Sequence, residues 1–233
     1  MSLSSDWYKA VEQTYVVKYP KQHLATFGTT NIEYFVVTEP LYTAIDSQKK
    51  ELEGVVRSGK VKAEQPSLIT PTYAMHLNGF SEDAYHYFDQ VAQMYGPNSP
   101  GIMYQYNNEP KGLEILSGNP NEIAHRISKE LKDNKNDLSV VISGVDEFWD
   151  VALLKFIYEF TASSVSFNSK EMRGAGLMEP QMNSGGIPTA AANQIEGMFV
   201  SVRKGGSPEA LKAELDKWGV YPYYEDRFLD LFK

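Results

Sequence analysis

Apolar positions along the chain recur every second residue in some segments and every third or fourth in others, and this change of period predicts most of the elements. Residues Ile32–Thr38 (Ile-Glu-Tyr-Phe-Val-Val-Thr) are β-branched and aromatic, stop before Pro40, and predict a strand. Gly54–Lys62 and Ser67–Tyr73 flank Pro66 and predict two more strands, expected to be antiparallel neighbours, with Ile102–Tyr106 as a further one. Two helices interrupt them. Ser5–Thr14 has Ser5 as cap and Trp7, Tyr8, Val11 and Tyr15 near one face, and Ser81-Glu-Asp opens a helix that Gly96-Pro97 ends.

From Gly112 the rhythm changes. Gly112–Leu116 predicts a strand, after which Asn119-Pro120-Asn121-Glu122 supplies a cap, a proline at the first helical position and a glutamate at the third. Ile123, Ile127 and Leu131 then fall one turn apart, and a second apolar strand follows at Leu138–Ser143. Strand, helix and strand with short links predict a βαβ unit with parallel strands. Asp146 opens a helix expected to reach about Phe160. It is apolar nearly all round (Phe148, Trp149, Val151, Leu153, Leu154, Phe156, Ile157, Tyr158), which predicts a central core helix enclosed by other elements. The remainder reads as helices at Ser169–Gly174, Pro188–Arg203, Ser207–Trp218 and Pro222–Phe232.

The resulting expectation is an α+β chain. A small, mostly antiparallel sheet occupies residues 1–110, and a mainly helical part with the βαβ unit occupies residues 111–233. The boundary at Asn107–Gly112 is soft, because a strand at Gly112–Leu116 is able to extend the first sheet into a single domain.

Composition then narrows the partners. With 42% hydrophobic and 22% charged residues in 233, the chain has enough apolar material for a core and is not of the disordered class. The net charge of −8 is spread along the chain, with 8 basic and 12 acidic groups up to residue 110 and 14 and 18 beyond it. Nucleic acid and anionic membranes are therefore unfavourable partners, since both need clustered Lys and Arg. There is no cysteine, which removes disulfides, thiolate zinc sites and cysteine nucleophiles. No leader is expected from Met1–Asp6, and the most apolar runs, Leu138–Val145 and Val151–Phe160, fall short of the ~20 residues of a membrane span. A cytoplasmic location is the expectation.

Four features carry candidate chemistry. Residues 63–110 contain no Lys or Arg but hold Glu64, Glu82, Asp83, Asp89 and Glu109, six of the fifteen tyrosines and three methionines. Tyr and Met enrichment without lysine is the composition of a binding surface, and the candidate binding residues are Tyr73, His76, Tyr85, His86, Tyr95, Tyr104 and Tyr106. Asp146 and Asp150 lie one helical turn apart, just beyond the carboxyl end of the Leu138–Ser143 strand. They are the candidate catalytic pair and, under the enzyme reading, a candidate position for a divalent cation such as Mg²⁺, although first-turn acids also have a purely structural reason to be there. Gly174–Pro188, rich in glycine and other breakers, predicts a long mobile loop, whose functional reading is a lid or an anion site at Ser184-Gly185-Gly186 and whose plain reading is a connection. Ser163–Met178 has the outline of a helix-turn-helix, with only Lys170 and Arg173 to meet a DNA backbone.

No G-x-x-x-x-G-K-[ST], H-E-x-x-H or G-x-S-x-G motif is present. The favoured expectation is accordingly a non-enzymatic binding or assembly protein that uses the Tyr-rich face of residues 63–110 against another protein or a second copy of itself, with no cofactor implied. The alternative is a small-molecule enzyme, metal-dependent or not, built around Asp146 and Asp150; a helix-turn-helix DNA binder is a minor one. Finally, Tyr223, Tyr224, Phe228, Leu229, Leu231 and Phe232 crowd the last residues, and so many large apolar groups predict a C-terminal segment docked on its own chain.

Overall fold

Strands with apolar residues on both sides need two covered faces, and the computed structural model, which describes residues 6–44, 52–77 and 81–233, provides them with one mixed sheet. The elements are α1 (Asp6–Gln13), β1 (Tyr15–Lys18), β2 (Thr30–Glu39), β3 (Glu53–Ala63), β4 (Ser67–Ile69), α2 (Pro71–Met75), α3 (Glu82–Tyr95), β5 (Gly101–Met103), β6 (Tyr106–Ser117), α4 (Pro120–Asp133), β7 (Ser139–Val145) and α5 (Trp149–Gly174). There follow β8 (Pro180–Gln181), β9 (Ile187–Pro188), α6 (Thr189–Arg203), α7 (Pro208–Lys217) and α8 (Tyr221–Leu229). The fold is α+β, as the periodicity predicts. Ser5, the expected cap of α1, lies outside the described residues.

The chain forms two compact units, each from two stretches: Met1–Gln65 with Tyr104–Asn168, and Pro66–Met103 with Ser169–Lys233. In the first unit the strand order is β1-β7-β2-β3-β6. β2 sends Ile32, Tyr34 and Val36 to one face, where Ala152, Leu153, Phe156 and Phe160 of α5 meet them. Val37, Val56 and Val141 point to the other face, against Ile123, Ala124 and Leu131 of α4. α4 forms where expected: Asn119 accepts the Asn121 N–H at 2.9 Å and Pro120 fills the first turn. Lys18, buried at the end of β1, donates to the carbonyls of Asn136 and Ser139 and to the Ser139 hydroxyl, which uses all three of its protons and ties β1 to the start of β7.

Several expectations change. β3 pairs with β2 and β6, not with the Ser67 segment, whose strand ends at Ile69 because Thr70 and Pro71 start α2: the Thr70 hydroxyl accepts the Tyr73 N–H at 3.2 Å. β6 and β7, joined by α4, run in the same direction, since β2 is antiparallel to β3, β3 is antiparallel to β6, and β2 is parallel to β7. They are not neighbours, however, and α4 crosses β3 and β2 to deliver β7 between β1 and β2. The expected boundary at Asn107–Gly112 falls inside β6, which is paired with β3 along its length.

α5 does not stop near Phe160. It continues to Gly174, so Ser163–Met178 contains no helix-turn-helix and Ser169–Gly174 is not a separate helix. Nor is α5 enclosed all round, because Leu154 is 63% and Tyr158 76% exposed. The polar residues that suggest a break are absorbed by the helix. Ser163 and Ser164 both donate to the Phe160 carbonyl, and the Asn168 amide donates to Leu24 O and Thr26 Oγ1.

In the second unit, Ala191, Ile195 and Phe199 of α6 close on Leu211 and Leu215 of α7, with Trp218, Tyr224 and Phe228 completing the core. Ser207 caps α7 by accepting the Ala210 N–H. The C-terminal segment docks on its own unit through Tyr224 and Phe228, and Arg227 grips Glu196 with two bonds of 2.7 and 2.8 Å. Gly174–Pro188, expected as a long loop, has structure of its own: β8 pairs with β9 there and Ile187 is fully buried. Among the described residues no helix is long and apolar enough to cross a membrane.

Candidate functional site

α3 is the least buried long helix of the second unit, although its sequence is not that of a solvated helix. Ser81 precedes it with Glu82 and Asp83 in the first turn, and Gly96, at φ 98°, ends it in a conformation that disfavours a side chain. Its apolar positions Tyr85, Phe88, Val91 and Ala92 are only half-buried, and none of its residues with a described side chain is fully buried. Tyr87, Met94 and Tyr95 are 61%, 68% and 71% exposed. Tyr87, Val91, Met94 and Tyr95 stand at i, i+4, i+7 and i+8, which places them on one stripe of the helix.

Beside that stripe lies a cleft of about 240 Å³, whose walls include Ile69, Pro71, Ala74, Phe88, Val91 and Tyr95. Among the described residues no charged side chain lines it. Ile69 and Gly101, paired at the ends of β4 and β5, border it, the two strands being in register from Ser67↔Met103 to Ile69↔Gly101. The turn after α3 is fixed to the start of α2, since Pro97 O accepts both the N–H and the hydroxyl of Thr72. Pro71 and Pro100, whose φ angles are fixed by their rings, are part of the cleft wall.

The residues expected to bind divide into three groups. Tyr95 stands at the lip of the cleft and His86 is exposed on α3. Tyr73, His76 and Tyr85 support the framework: Tyr73 packs on Trp218 with ring centroids 4.6 Å apart, His76 Nδ1–H donates to Thr72 O at 2.8 Å, and the Tyr85 hydroxyl donates to Leu77 O. Burial, with Glu214 nearby, pushes the Tyr73 phenol above its ordinary range.

Tyr104 and Tyr106 belong to the first unit. Their hydroxyls meet Asn168 Oδ1 at 2.7 Å and Thr161 Oγ1 at 2.5 Å on α5, and burial raises both phenols, Tyr104 to about 12. Reading tyrosines by their density along the chain missed Tyr87, Phe88, Val91 and Met94. Their helical spacing was the available signal.

The acidic pair near β7 is already engaged. Asp146 Oδ1 meets Arg57 at 2.5 Å and accepts the Thr38 hydroxyl at 2.7 Å, with the side chains of Arg57 and Asp146 only 18% and 12% exposed. The Trp149 ring lies 5.6 Å from the Arg57 guanidinium. Asp150 accepts the Val151 N–H, as an acid in a first helical turn does. Among the described residues no three His, Asp or Glu side chains are grouped so as to hold a metal ion. No family model, no curated protein and no solved structure matches the chain.

Proposed function

We propose that the protein is a non-enzymatic binding or assembly protein of the cytoplasm, and that α3 with its adjoining cleft is the surface that meets another protein. One observation carries this reading: a 14-residue helix bearing Tyr87, Phe88, Val91, Met94 and Tyr95 has no fully buried side chain among those described, and its half-covered face opens into an apolar cleft. Apolar area on this scale, next to a preformed hollow, is the usual ground for a helix-in-groove contact. Tyr and Met suit it, the one by presenting a large ring with a polar tip and the other by adapting to irregular surfaces.

The enzyme alternative asks for a carboxylate free to move a proton or hold a cation. Asp146 is committed to Arg57 and Thr38, which supports the binding reading over that one. The test is to purify the chain from its own cells, natively and with Tyr87→Ser, Met94→Ser and Tyr95→Ser combined. A partner or second copy that accompanies the native chain and is lost from the variant, with the melting temperature unchanged, is the expected result. A native chain that runs as a bare monomer, indistinguishable from the variant, sinks the proposal.

A further inference from the structure

We infer that the occupant of the α3 surface is a cationic amphipathic segment of another protein, which seats an apolar side chain in the cleft and lays lysines or arginines against the acidic helix. The inference rests on the binding reading above and adds the chemistry of the partner. Shape supplies the first half. Phe88, Val91 and Tyr95 wall the cleft, and the stripe Tyr87, Val91, Met94 and Tyr95 continues from it along the helix, so a segment following the stripe places one apolar residue in the hollow and the next ones on Met94 and Tyr87.

Charge supplies the second half. Between Pro66 and Met103 there are three acids, Glu82, Asp83 and Asp89, and no Lys or Arg. Glu82 and Asp83 have a structural reason to stand in a first turn, but Asp89 is in mid-helix, where its visible partner is the Gln93 amide at 2.8 Å. Among the described residues none of the three forms an ion pair. The other stretch of the same unit has eight Lys and Arg beside its nine acids, and four of those acids are paired: Glu196 with Arg227, Glu214 with Lys217, Asp216 with Lys212 and Asp230 with Lys233. The stretch that carries the open apolar surface thus has no basic residue of its own to balance its acids. A second copy docking α3 on α3 would bring like charges together, which is unfavourable, and nucleic acid or an anionic bilayer meets the same repulsion. A basic partner relieves it.

The experiment is a fluorescence-anisotropy titration of the full chain with three labelled helical peptides of one length: leucines at i, i+4, i+7 and i+8 with lysines elsewhere, the same peptide with Lys→Glu, and the same peptide with Leu→Ala. The lysine peptide is expected to bind at least about tenfold more tightly than the glutamate peptide at low salt, with the margin shrinking as salt rises. The alanine peptide is expected to bind weakly. Met94→Ser with Tyr95→Ser, both exposed and so compatible with folding, should abolish the binding, and Asp83→Asn with Asp89→Asn should remove most of the preference for lysine. Equal binding of the lysine and glutamate peptides overturns the charge inference and leaves the α3 surface standing. Binding of no leucine peptide, or binding indifferent to the Met94 and Tyr95 changes, overturns both.

Discussion

At the residue scale, the sharpest constraint in the first unit is the contact between Tyr34 and Gly59, directly opposite each other in β2 and β3. The Tyr34 ring lies across the glycine, so that a Cβ at Gly59 would fall about 2.7 Å from Tyr34 Cε1. Gly59→Ala must therefore push the ring or the strand aside and should destabilise by about 1–3 kcal/mol, read from denaturant unfolding. The Tyr34 hydroxyl, in contrast, is buried without a hydrogen bond of good geometry among the described residues, the Asn108 side chain lying near it without closing one. Tyr34→Phe should then keep or raise the melting temperature, and a loss above about 1 kcal/mol would show that the hydroxyl is bonded after all.

Tyr104 carries a pH dependence whose sign follows from its environment. Burial raises its phenol from 10.0 to about 12, so the folded chain holds the proton that the unfolded chain releases. The associated stability is complete below the ordinary value and is lost as pH rises from there toward about 12. Tyr34 and Tyr106, raised by the same cause, act in the same direction. Melting temperatures across that alkaline window should fall for the native chain and fall less for Tyr104→Phe. Parallel curves would remove Tyr104 from the account.

At the scale of elements, what was legible in the sequence was local. β2, β3, α4 and α7 carry their own period, their own caps and their own stops, and they form within a residue or two of where the pattern puts them. What depended on distant partners was not legible. α5 is longer than its apolar stretch because Leu24 and Thr26, remote in sequence, satisfy Asn168 inside it. Ser67–Tyr73 has strand-like composition, yet Thr70 and Pro71 turn it into a capped helix. Of the candidate site, the segment and Tyr95 were visible and Tyr87, Phe88, Val91 and Met94 were not, because density of tyrosine does not distinguish a ring that supports the fold from one that faces solvent.

β6 adds a prediction at this scale. It is an edge strand of twelve residues, paired with β3 alone among the described residues. Leu113 and Ile115 are exposed on it. Such an edge invites pairing with another chain unless it is blunted, and Pro110, which lacks an N–H and lies beside the irregular register at Ser58/Gly59, is the residue on it suited to that. Pro110→Val should raise concentration-dependent association in light scattering with little change in helix content. A variant as monodisperse as the native chain would show that the edge is protected by something else.

At the scale of the molecule, the two units are threaded through each other in sequence, and yet each has its own core. Every residue of the two clusters that cover the sheet comes from Met1–Gln65 or Tyr104–Asn168, and every residue of the third cluster comes from the other two stretches. A cut at residue 110 therefore divides the sheet: it removes β7, which lies between β1 and β2, and splits β6. Fragments 1–110 and 111–233 should be insoluble when made separately. The stretch 66–103 behaves instead as an insertion at the tip of a hairpin, because Ala63 faces Tyr106 and the Glu64 N–H donates to Gln105 O at 2.9 Å. Replacing it with Asn-Gly, a pair suited to a two-residue hairpin turn, and ending the chain at Asn168 leaves the five strands, α1, α4 and the Trp149–Asn168 part of α5 intact. That shortened chain should fold by itself, with mixed helix and strand circular dichroism and one cooperative thermal transition, because its apolar clusters remain complete. A broad, non-cooperative melt would show that the sheet unit depends on the stretches that were removed, and the separation into two cores would fall with it.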